Sequence, residues 1–305
     1  MRLERIVVGI DFSPGSLEAA RWTARHFAPD AELVLTHLII LPERPPIMRS
    51  RYPRRDLLAT TLREGAEKRL RDLGQSLFSD RMMWIEIREG ASGDALAKVA
   101  TDYAANLIVV GAHGERTGLA GGLGSTARDV VRIADVPVLL VSRPAAAPIA
   151  RILVPVDDVP VTQDVLRWAG VLSRRLGAKV TLLHVTEATL MSHALAAAAV
   201  VSGTPAVKRG RRRDRQGPGD RWVEVATSSG VPREQVTSEE AFGLPAVEIL
   251  AASDRLEADL IVMGRRAAGP LRRAVLGSVT ERVLGSTDRN VLVVPEPRAV
   301  QAEER

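Results

Sequence analysis

The sequence lacks cysteine altogether among its 305 residues. This excludes disulfides, cysteine-ligated zinc, iron–sulfur clusters and thiol catalysis. Aromatic residues make up only 3% of the chain, so the core has to be built mainly from Ala, Val, Leu and Ile. No stretch reaches the ~18 apolar residues of a membrane span, and the first apolar run is too short for a signal peptide. We therefore expect a cytoplasmic protein without a membrane partner.

What the sequence does contain is typical of a globular protein. It is 46% hydrophobic and 26% charged, and its length favours two domains at ~150 residues each. The net charge of +5 comes mostly from arginine, without the interleaved aromatic residues typical of single-strand binders. We do not expect a nucleic-acid partner. The run KRGRRRDR at 208–215 is interpreted as a solvated loop, with phosphate contact as the alternative.

The chain repeats itself. Three pairs of segments correspond: IVVGID (6–11) with ILVPVD (152–157), LIVVG (107–111) with LIVMG (260–264), and GST (124–126) with GSV (277–279). A short linker rich in Pro and Ala, residues 142–150, separates the copies. The repeat predicts two domains, 1–144 and 149–297.

Each copy alternates aliphatic runs with helical patterns. Runs such as Ile6–Ile10 and Leu107–Val110 indicate strands buried on both faces, and Ser13-Pro14 is a typical helix start. Leucine spacing from Leu58 to Leu77 predicts a second helix, and residues 82–88 a third strand. Five strands alternating with four helices predict the α/β class, with two tandem doubly wound parallel five-stranded sheets of Rossmann-like or flavodoxin-like type.

A glycine-rich loop, GAHGERTGLAGGLGST, follows the fourth strand. Glycines let backbone N–H groups approach phosphate oxygens, and the next helix would offer its first-turn N–H groups with the Ser125 and Thr126 hydroxyls. The pattern therefore favours phosphate binding. The alternative is a flexible loop that closes back onto a helix.

These residues resemble a known family. G-x2-G-x9-G-[ST] after LIVVG, with V-G-I-D-x-S near the chain start, is similar to the pattern of nucleotide-binding universal stress proteins, and the similarity in both halves indicates a tandem member. The resemblance implies an adenine nucleotide alpha hydrolase-like fold that binds ATP, with or without Mg²⁺. In that family Asp11 would accept hydrogen bonds from adenosine, and the Leu38 backbone would face adenine. The implied site comprises Gly9, Ile10, Asp11, Leu38, Gly111, His113, Gly114, Gly124, Ser125 and Thr126.

The second copy departs from this pattern, because Ala267 replaces the middle glycine of its loop. A Cβ there would intrude where phosphates approach, so we expect a weak or empty second site. Its retained residues are Asp157, Val185, Gly264, Gly277 and Ser278. The alternative is that Arg265 and Arg266 capture phosphate directly through their guanidinium groups.

No catalytic constellation is visible. His37 and His184 stand at matching strand ends and are interpreted as packed, hydrogen-bonded side chains, while Ser125 has no His-Asp partner in the sequence pattern. We predict no catalytic residues and no metal site. The leading hypothesis is an ATP-binding regulator of the stress response; the alternatives are a slow ATPase or other adenine-nucleotide-converting enzyme, and a scaffold that ignores nucleotide.

The final strands predict an intramolecular pseudo-dimer. A last strand leaves an edge that must be paired or covered, and the aliphatic runs Val136–Val141 and Asn290–Val294 would pair. A further homodimer is left open. Residues 188–218, with an Ala run and the Arg cluster, are predicted to be the least ordered internal segment.

Overall fold

The computed structural model describes residues 3–27, 31–41, 55–78, 81–90, 93–113, 122–144, 148–187, 218–265 and 276–296. Of the segment predicted to be least ordered, residues 188–217 lie outside this part of the chain. Contacts divide the chain into two compact units. The first comprises Met1–Pro148, Arg265–Gly277 and Asn290–Arg305, and the second comprises Ile149–Gly264 and Ser278–Arg289.

The first repeat alternates strands and helices as predicted. Its elements are β1 (Arg5–Gly9), α1 (Pro14–His26), β2 (Glu32–Ile39), α2 (Arg55–Phe78), β3 (Met83–Glu89), α3 (Gly93–Asp102), β4 (Leu107–Gly111), α4 (Ser125–Ile133) and β5 (Val138–Val141). These five strands run parallel in the order β3-β2-β1-β4-β5. Strands β2 and β3 lie on one side of β1, and β4 and β5 lie on the other, so the direction in which the chain adds strands reverses between β1 and β4. The predicted fold class is confirmed, and ligands of such sheets bind at this reversal.

Burial explains these elements. Ile6, Val7 and Val8 of β1 are fully buried, as a parallel strand covered on both faces requires. The Ser13 hydroxyl caps α1 by accepting from the backbone N–H of Ser16, and Pro14 is the first helical residue. The predicted leucine stripe of α2 is only partly buried, because Leu62 is 40% exposed whereas Leu70 is fully buried.

The second repeat has the same alternation. Its elements are β6 (Arg151–Val156), α5 (Thr162–Leu176), β7 (Lys179–Glu187), α6 (Pro218–Ser228), β8 (Val236–Gly243), α7 (Pro245–Arg255), β9 (Leu260–Arg265), α8 (Ser278–Ser286) and β10 (Asn290–Pro295). In the second unit the strands are ordered β9-β6-β7-β8 and run parallel. Because both repeats have the same order of strands and helices, their loops can be compared directly.

The last strand of the chain belongs to the first unit. There β10 pairs antiparallel with β5, with Val291 opposite Leu140. The Asn290 side-chain oxygen continues this edge by accepting from the backbone N–H groups of Ser142 at 2.9 Å and Arg143 at 3.1 Å. The predicted pairing of the two final strands is therefore confirmed.

Candidate functional site

A cavity of about 620 Å³ opens beyond the carboxyl ends of β1, β2 and β4. It lies at the reversal in strand order, where the fold class predicts a ligand. Nine residues predicted from the sequence line it: Gly9, Ile10, Asp11, Leu38, Gly111, His113, Gly124, Ser125 and Thr126. Gly114, the tenth, lies outside the described residues. The structure thus brings together residues that are more than a hundred positions apart in the chain.

The Asp11 carboxylate is positioned by the turn between β1 and α1. Its Oδ1 accepts from the Ser13 backbone N–H at 2.9 Å and from the Ser13 hydroxyl at 2.5 Å. The Asp11 backbone N–H in turn donates to the Ser16 hydroxyl at 3.2 Å. Burial works to raise the pKa of Asp11, but hydrogen bonds from Ser13, Ser16 and backbone N–H groups outweigh it and lower the pKa below its ordinary value. The cavity therefore carries a carboxylate that stays charged well below neutral pH.

Two neighbouring side chains hold this turn. The His37 ring nitrogen Nδ1 lies 2.7 Å from the Ile10 carbonyl oxygen, which can only accept, so Nδ1 carries the proton. Phe12 adopts a positive φ of 64°. Its ring contacts His37 in a tilted arrangement, with centroids 4.9 Å apart, and the Arg69 guanidinium lies 3.7 Å from its ring centroid. The interpretation of His37 as a packed, hydrogen-bonded side chain is confirmed.

Another part of the cavity wall is built by the β4–α4 connection. Gly124 is the N-cap of α4 and has no side chain to cap the helix, so first-turn N–H groups beside Ser125 and Thr126 can serve a ligand. The connection closes at its base, where the Gly124 N–H donates to the Ala112 carbonyl at 2.8 Å. His113 Nδ1 lies 3.0 Å from the Gly122 carbonyl oxygen. This end of the cavity suits an anion.

Glycine is needed at two positions for packing. A Cβ at Gly111 would lie 2.6 Å from the Gly15 carbonyl carbon and 2.8 Å from the Ser16 backbone nitrogen. A Cβ at Gly93 would lie 2.2 Å from the Val130 backbone nitrogen. The role expected of Gly111 was to admit phosphate oxygens. The structure gives it another reason, since the start of α1 packs directly against it.

Sequence reasoning missed about half of the cavity lining. The additional residues are Ser13, Ser16, Thr36, Ile40, Leu96, Val110, Leu123, Ala127, Arg128 and Asp129. The two-residue period of β2 could have placed Thr36 and Ile40 on the face of Leu38, and the D-x-S pattern could have added Ser13. Leu96 gives no local signal, because α3 reaches the cavity only through tertiary packing.

The turn after β6 keeps the aspartate but not its partners. Asp157 Oδ1 accepts from the Asp158 N–H at 2.8 Å, and Val159 stands where Ser13 stands in the first repeat. Helix α5 begins at Thr162, and a Cβ at Gly264 would lie 2.6 Å from a methyl group of the buried Val161. A valine thus fills the space next to the glycine that ends this strand. His184 repeats the role of His37, with Nδ1 3.2 Å from the Val156 carbonyl oxygen, so its interpretation is confirmed too.

The other predicted second-site residues lie on separate elements: Val185 in β7, Gly264 in β9, Gly277 directly before α8, and Ser278 as its first residue. The Arg265 side chain contacts the end of α4. Its guanidinium donates to carbonyl oxygens at the end of α4, those of Val131 at 3.0 Å, Ala134 at 2.9 Å and Arg132. A cation at a helix C-terminus is stabilised there. Phosphate capture by Arg265 and Arg266 stays an untested alternative. Arg266 and Ala267 lie outside the described residues.

The described residues contain neither a membrane-spanning helix nor a cluster of metal-ligating side chains. Within the described ranges, no helix is long and apolar enough to cross a membrane. Over the same part of the chain, no group of three or more His, Asp or Glu side chains is arranged to hold a metal ion.

Comparisons with known proteins agree with this architecture. The model of the universal stress protein family matches the chain twice, over residues 2–142 and 148–295. A universal stress protein from Archaeoglobus fulgidus DSM 4304 superposes with a TM-score of 0.69 at 19% identity, covering 97% of this chain and 100% of that one. A functionally unknown protein from Pseudomonas aeruginosa PAO1 superposes with a TM-score of 0.58 at 18% identity, covering 96% and 93%. At these identities the likeness shows the fold.

A shorter match comes from a universal stress protein of Methanocaldococcus jannaschii, which is 42% identical over 64 residues. These residues are 21% of this chain, and they span only 38% of the length of that relative.

Proposed function

The chain belongs to the universal stress protein family as a tandem member, and we propose that its first repeat binds ATP or a related adenine nucleotide. One observation carries the proposal. A single cavity of about 620 Å³ joins the Asp11 carboxylate to the N-terminus of α4 with its Ser125 and Thr126 hydroxyls. Small-molecule sites typically measure about 300–1,000 Å³, so the volume suits a nucleotide.

The charges of the cavity orient this ligand. A carboxylate accepts hydrogen bonds from ribose or base donors but repels phosphates, whereas the helix N-terminus and its hydroxyls attract them. Leu38, Ile40 and Leu96 add apolar surface that suits the flat face of a base. Adenosine is therefore assigned to the side of Asp11 and β2, and the phosphates to the side of α4.

The proposed role of binding is regulation of the stress response: nucleotide occupancy alters the partners of the tandem protein. The second repeat supports an asymmetric arrangement, because Val159 removes the seryl donor and Val161 fills space beside Gly264. We propose one ATP for each chain, bound in the first repeat. In the same proposal the two repeats act as an intramolecular pseudo-dimer.

Denaturing the purified protein and identifying the released small molecule by mass spectrometry tests the ligand. Isothermal titration with ATP then measures the stoichiometry, and we expect one site. At a hundredfold excess over Kd, ATP should stabilise the first repeat by about 2.7 kcal/mol. A protein that releases no nucleotide and is not stabilised by ATP would contradict the proposal and favour the scaffold. Steady turnover of saturating ATP with Mg²⁺ would favour the enzyme.

A further inference from the structure

The floor of the cavity contains a buried hydroxyl. Thr36 and Leu38 alternate along β2, so they share one face of the strand, and both line the cavity, as does Ile40 directly after the strand. Thr36 is only 1% exposed, and its Oγ1 has no hydrogen-bond partner among the described residues. Buried polar atoms in native proteins are nearly always paired, so an unpaired hydroxyl on a residue that lines a cavity points to a partner supplied by a ligand.

The surroundings of Thr36 are apolar on the side of β1, whereas its register partner on β3 is Glu86. Gly9 is its register partner on β1, and a Cβ at Gly9 would lie 3.0 Å from both Leu96 Cδ2 and Val110 Cγ1. Aliphatic side chains therefore enclose the floor of the cavity at this point. In such a wall a single hydroxyl can fix the orientation of a ligand and determine which ligand is accepted.

The second repeat shows that folding does not require this hydroxyl. Leu183 is the register partner of Pro155, just as Thr36 is the register partner of Gly9, and each stands one residue before the histidine that fixes its turn. Leu183 is also fully buried, with 1% exposed. The strand thus accepts an aliphatic residue at this position, and the hydroxyl distinguishes the first repeat from the second.

We infer that Thr36 is a specificity-determining residue whose hydroxyl hydrogen-bonds to the polar edge of the base, an inference that rests on the proposed nucleotide function. The Oγ1 is buried, so the hydroxyl reaches the base after rotation about χ1 between staggered wells. As both donor and acceptor it can pair with the amino group or with a ring nitrogen of adenine. Its position on β2, away from α4, assigns this contact to the base and not to the phosphates.

Thr36→Val tests the contact, because valine keeps the shape and removes only the hydroxyl. Adenosine and ATP should both bind about 2- to 12-fold more weakly, by the same factor, since one neutral hydrogen bond is lost from the part they share. Thr36→Ser should bind both as the wild type does. Thr61→Val, on the exposed surface of α2, is the matched control and should leave both affinities unchanged.

A set of analogues identifies the contacted atom. Purine riboside lacks the amino group, and 1-, 3- and 7-deazaadenosine each lack one ring nitrogen. The analogue that binds wild type and Thr36→Val equally has lost the atom that Thr36 contacts. An identical loss with all four analogues would overturn the inference.

Thermal unfolding without ligand provides an independent readout. Thr36→Val should melt at or above the temperature of the wild type, because it removes an unpaired buried hydroxyl. A clearly lower melting temperature would show that the hydroxyl serves the fold and would overturn the inference. So would unchanged adenosine binding by Thr36→Val, or a loss confined to ATP, while the proposed nucleotide function would still hold. A wild-type protein that binds neither compound would overturn both.

Discussion

The turns after β1 and β6 begin alike and then differ. Each follows a buried strand, carries an aspartate and is tied to the neighbouring strand by a histidine, His37 or His184. In the first turn Ser13 caps the helix and donates to Asp11, whereas Val159 stands at the matching position of the second. The histidine contact occurs in both repeats, so we infer that the fold requires it. The Ser13 hydrogen bonds occur in the turn that lines the cavity and have no counterpart at Val159.

The largest difference between the repeats should come from the glycine that ends β4 or β9. Gly111→Ala places a Cβ against the backbone of Gly15 and Ser16, which cannot rotate away, and should cost about 3 kcal/mol or more of unfolding free energy. Gly264→Ala meets side chains, those of Val161 and Val165, and no backbone atom among its nearest neighbours, so it should cost about 1–2 kcal/mol. Urea unfolding of both variants checks the order. Equal costs would show that the two helix starts pack alike.

The next effect concerns the two aspartates. Asp11→Ala should weaken ATP binding roughly 10- to 140-fold, the loss of a charged hydrogen-bonding partner. Asp157→Ala should leave the affinity of the first repeat unchanged. Isothermal titration of both variants measures this contrast. If Asp157→Ala weakened ATP binding as much as Asp11→Ala, the proposed asymmetry between the repeats would be refuted.

The two loops also differ at their first residue after the shared glycine, which is Ala112 in the first repeat and Arg265 in the second. Arg265→Gln should destabilise the protein by about 1–2 kcal/mol, since the carbonyl end of α4 loses a partly buried cation. Burial lowers the pKa of Arg265, against an opposing effect of Asp135, yet a guanidinium remains charged at neutral pH. Chemical denaturation measures the loss. Arg167→Gln, at an exposed pair with Asp164, is the control and should cost under about 1 kcal/mol.

The helix cap gives a smaller effect. Ser13→Ala should cost about 1 kcal/mol, because α1 loses its N-cap and Asp11 loses its hydroxyl donor. Val159→Ser should gain much less, because α5 begins later, at Thr162, and its N-cap is Val161. Thermal unfolding compares the two variants. If Val159→Ser raised the stability as much as Ser13→Ala lowers it, the two turns would differ only in the type of this residue and not in their backbone structure.

The smallest effect is a dependence on pH. Because the pKa of Asp11 is lowered in the folded state, its hydrogen bonds stabilise the protein above the ordinary pKa of 3.8. This stability is lost as the pH falls through the folded pKa. The difference in unfolding free energy between wild type and Asp11→Asn should therefore shrink below about pH 4. When Ser13 is replaced by Ala, this dependence of the unfolding free energy on pH should be weaker. An unchanged dependence would mean that the Ser13 hydroxyl does not lower the pKa of Asp11.

Much of the architecture could be predicted because local sequence patterns determine it. The aliphatic runs of β1 and β4, the Ser13-Pro14 helix start and the correspondence between the repeats all involve residues close together in the chain. Asp11, Gly124 and Ser125 could be assigned to the site because a loop between a strand and a helix has a known position in this fold class. Side-chain period along β2 could have added Thr36, although not the burial of its hydroxyl.

Local sequence patterns are enough to predict the order of the elements, the duplication and the positions of the loops that line the cavity. Three features depend on contacts between residues far apart in the chain. Helix α3 brings Leu96 to the cavity, and Arg265 caps α4. Gly111 has to be a glycine because the start of α1 packs against it. The tertiary structure also decided that β10 joins the first unit beside β5. The physical reason is range. Periodicity and capping act over one or two turns of chain, whereas close packing depends on the shapes of surfaces brought together from distant positions.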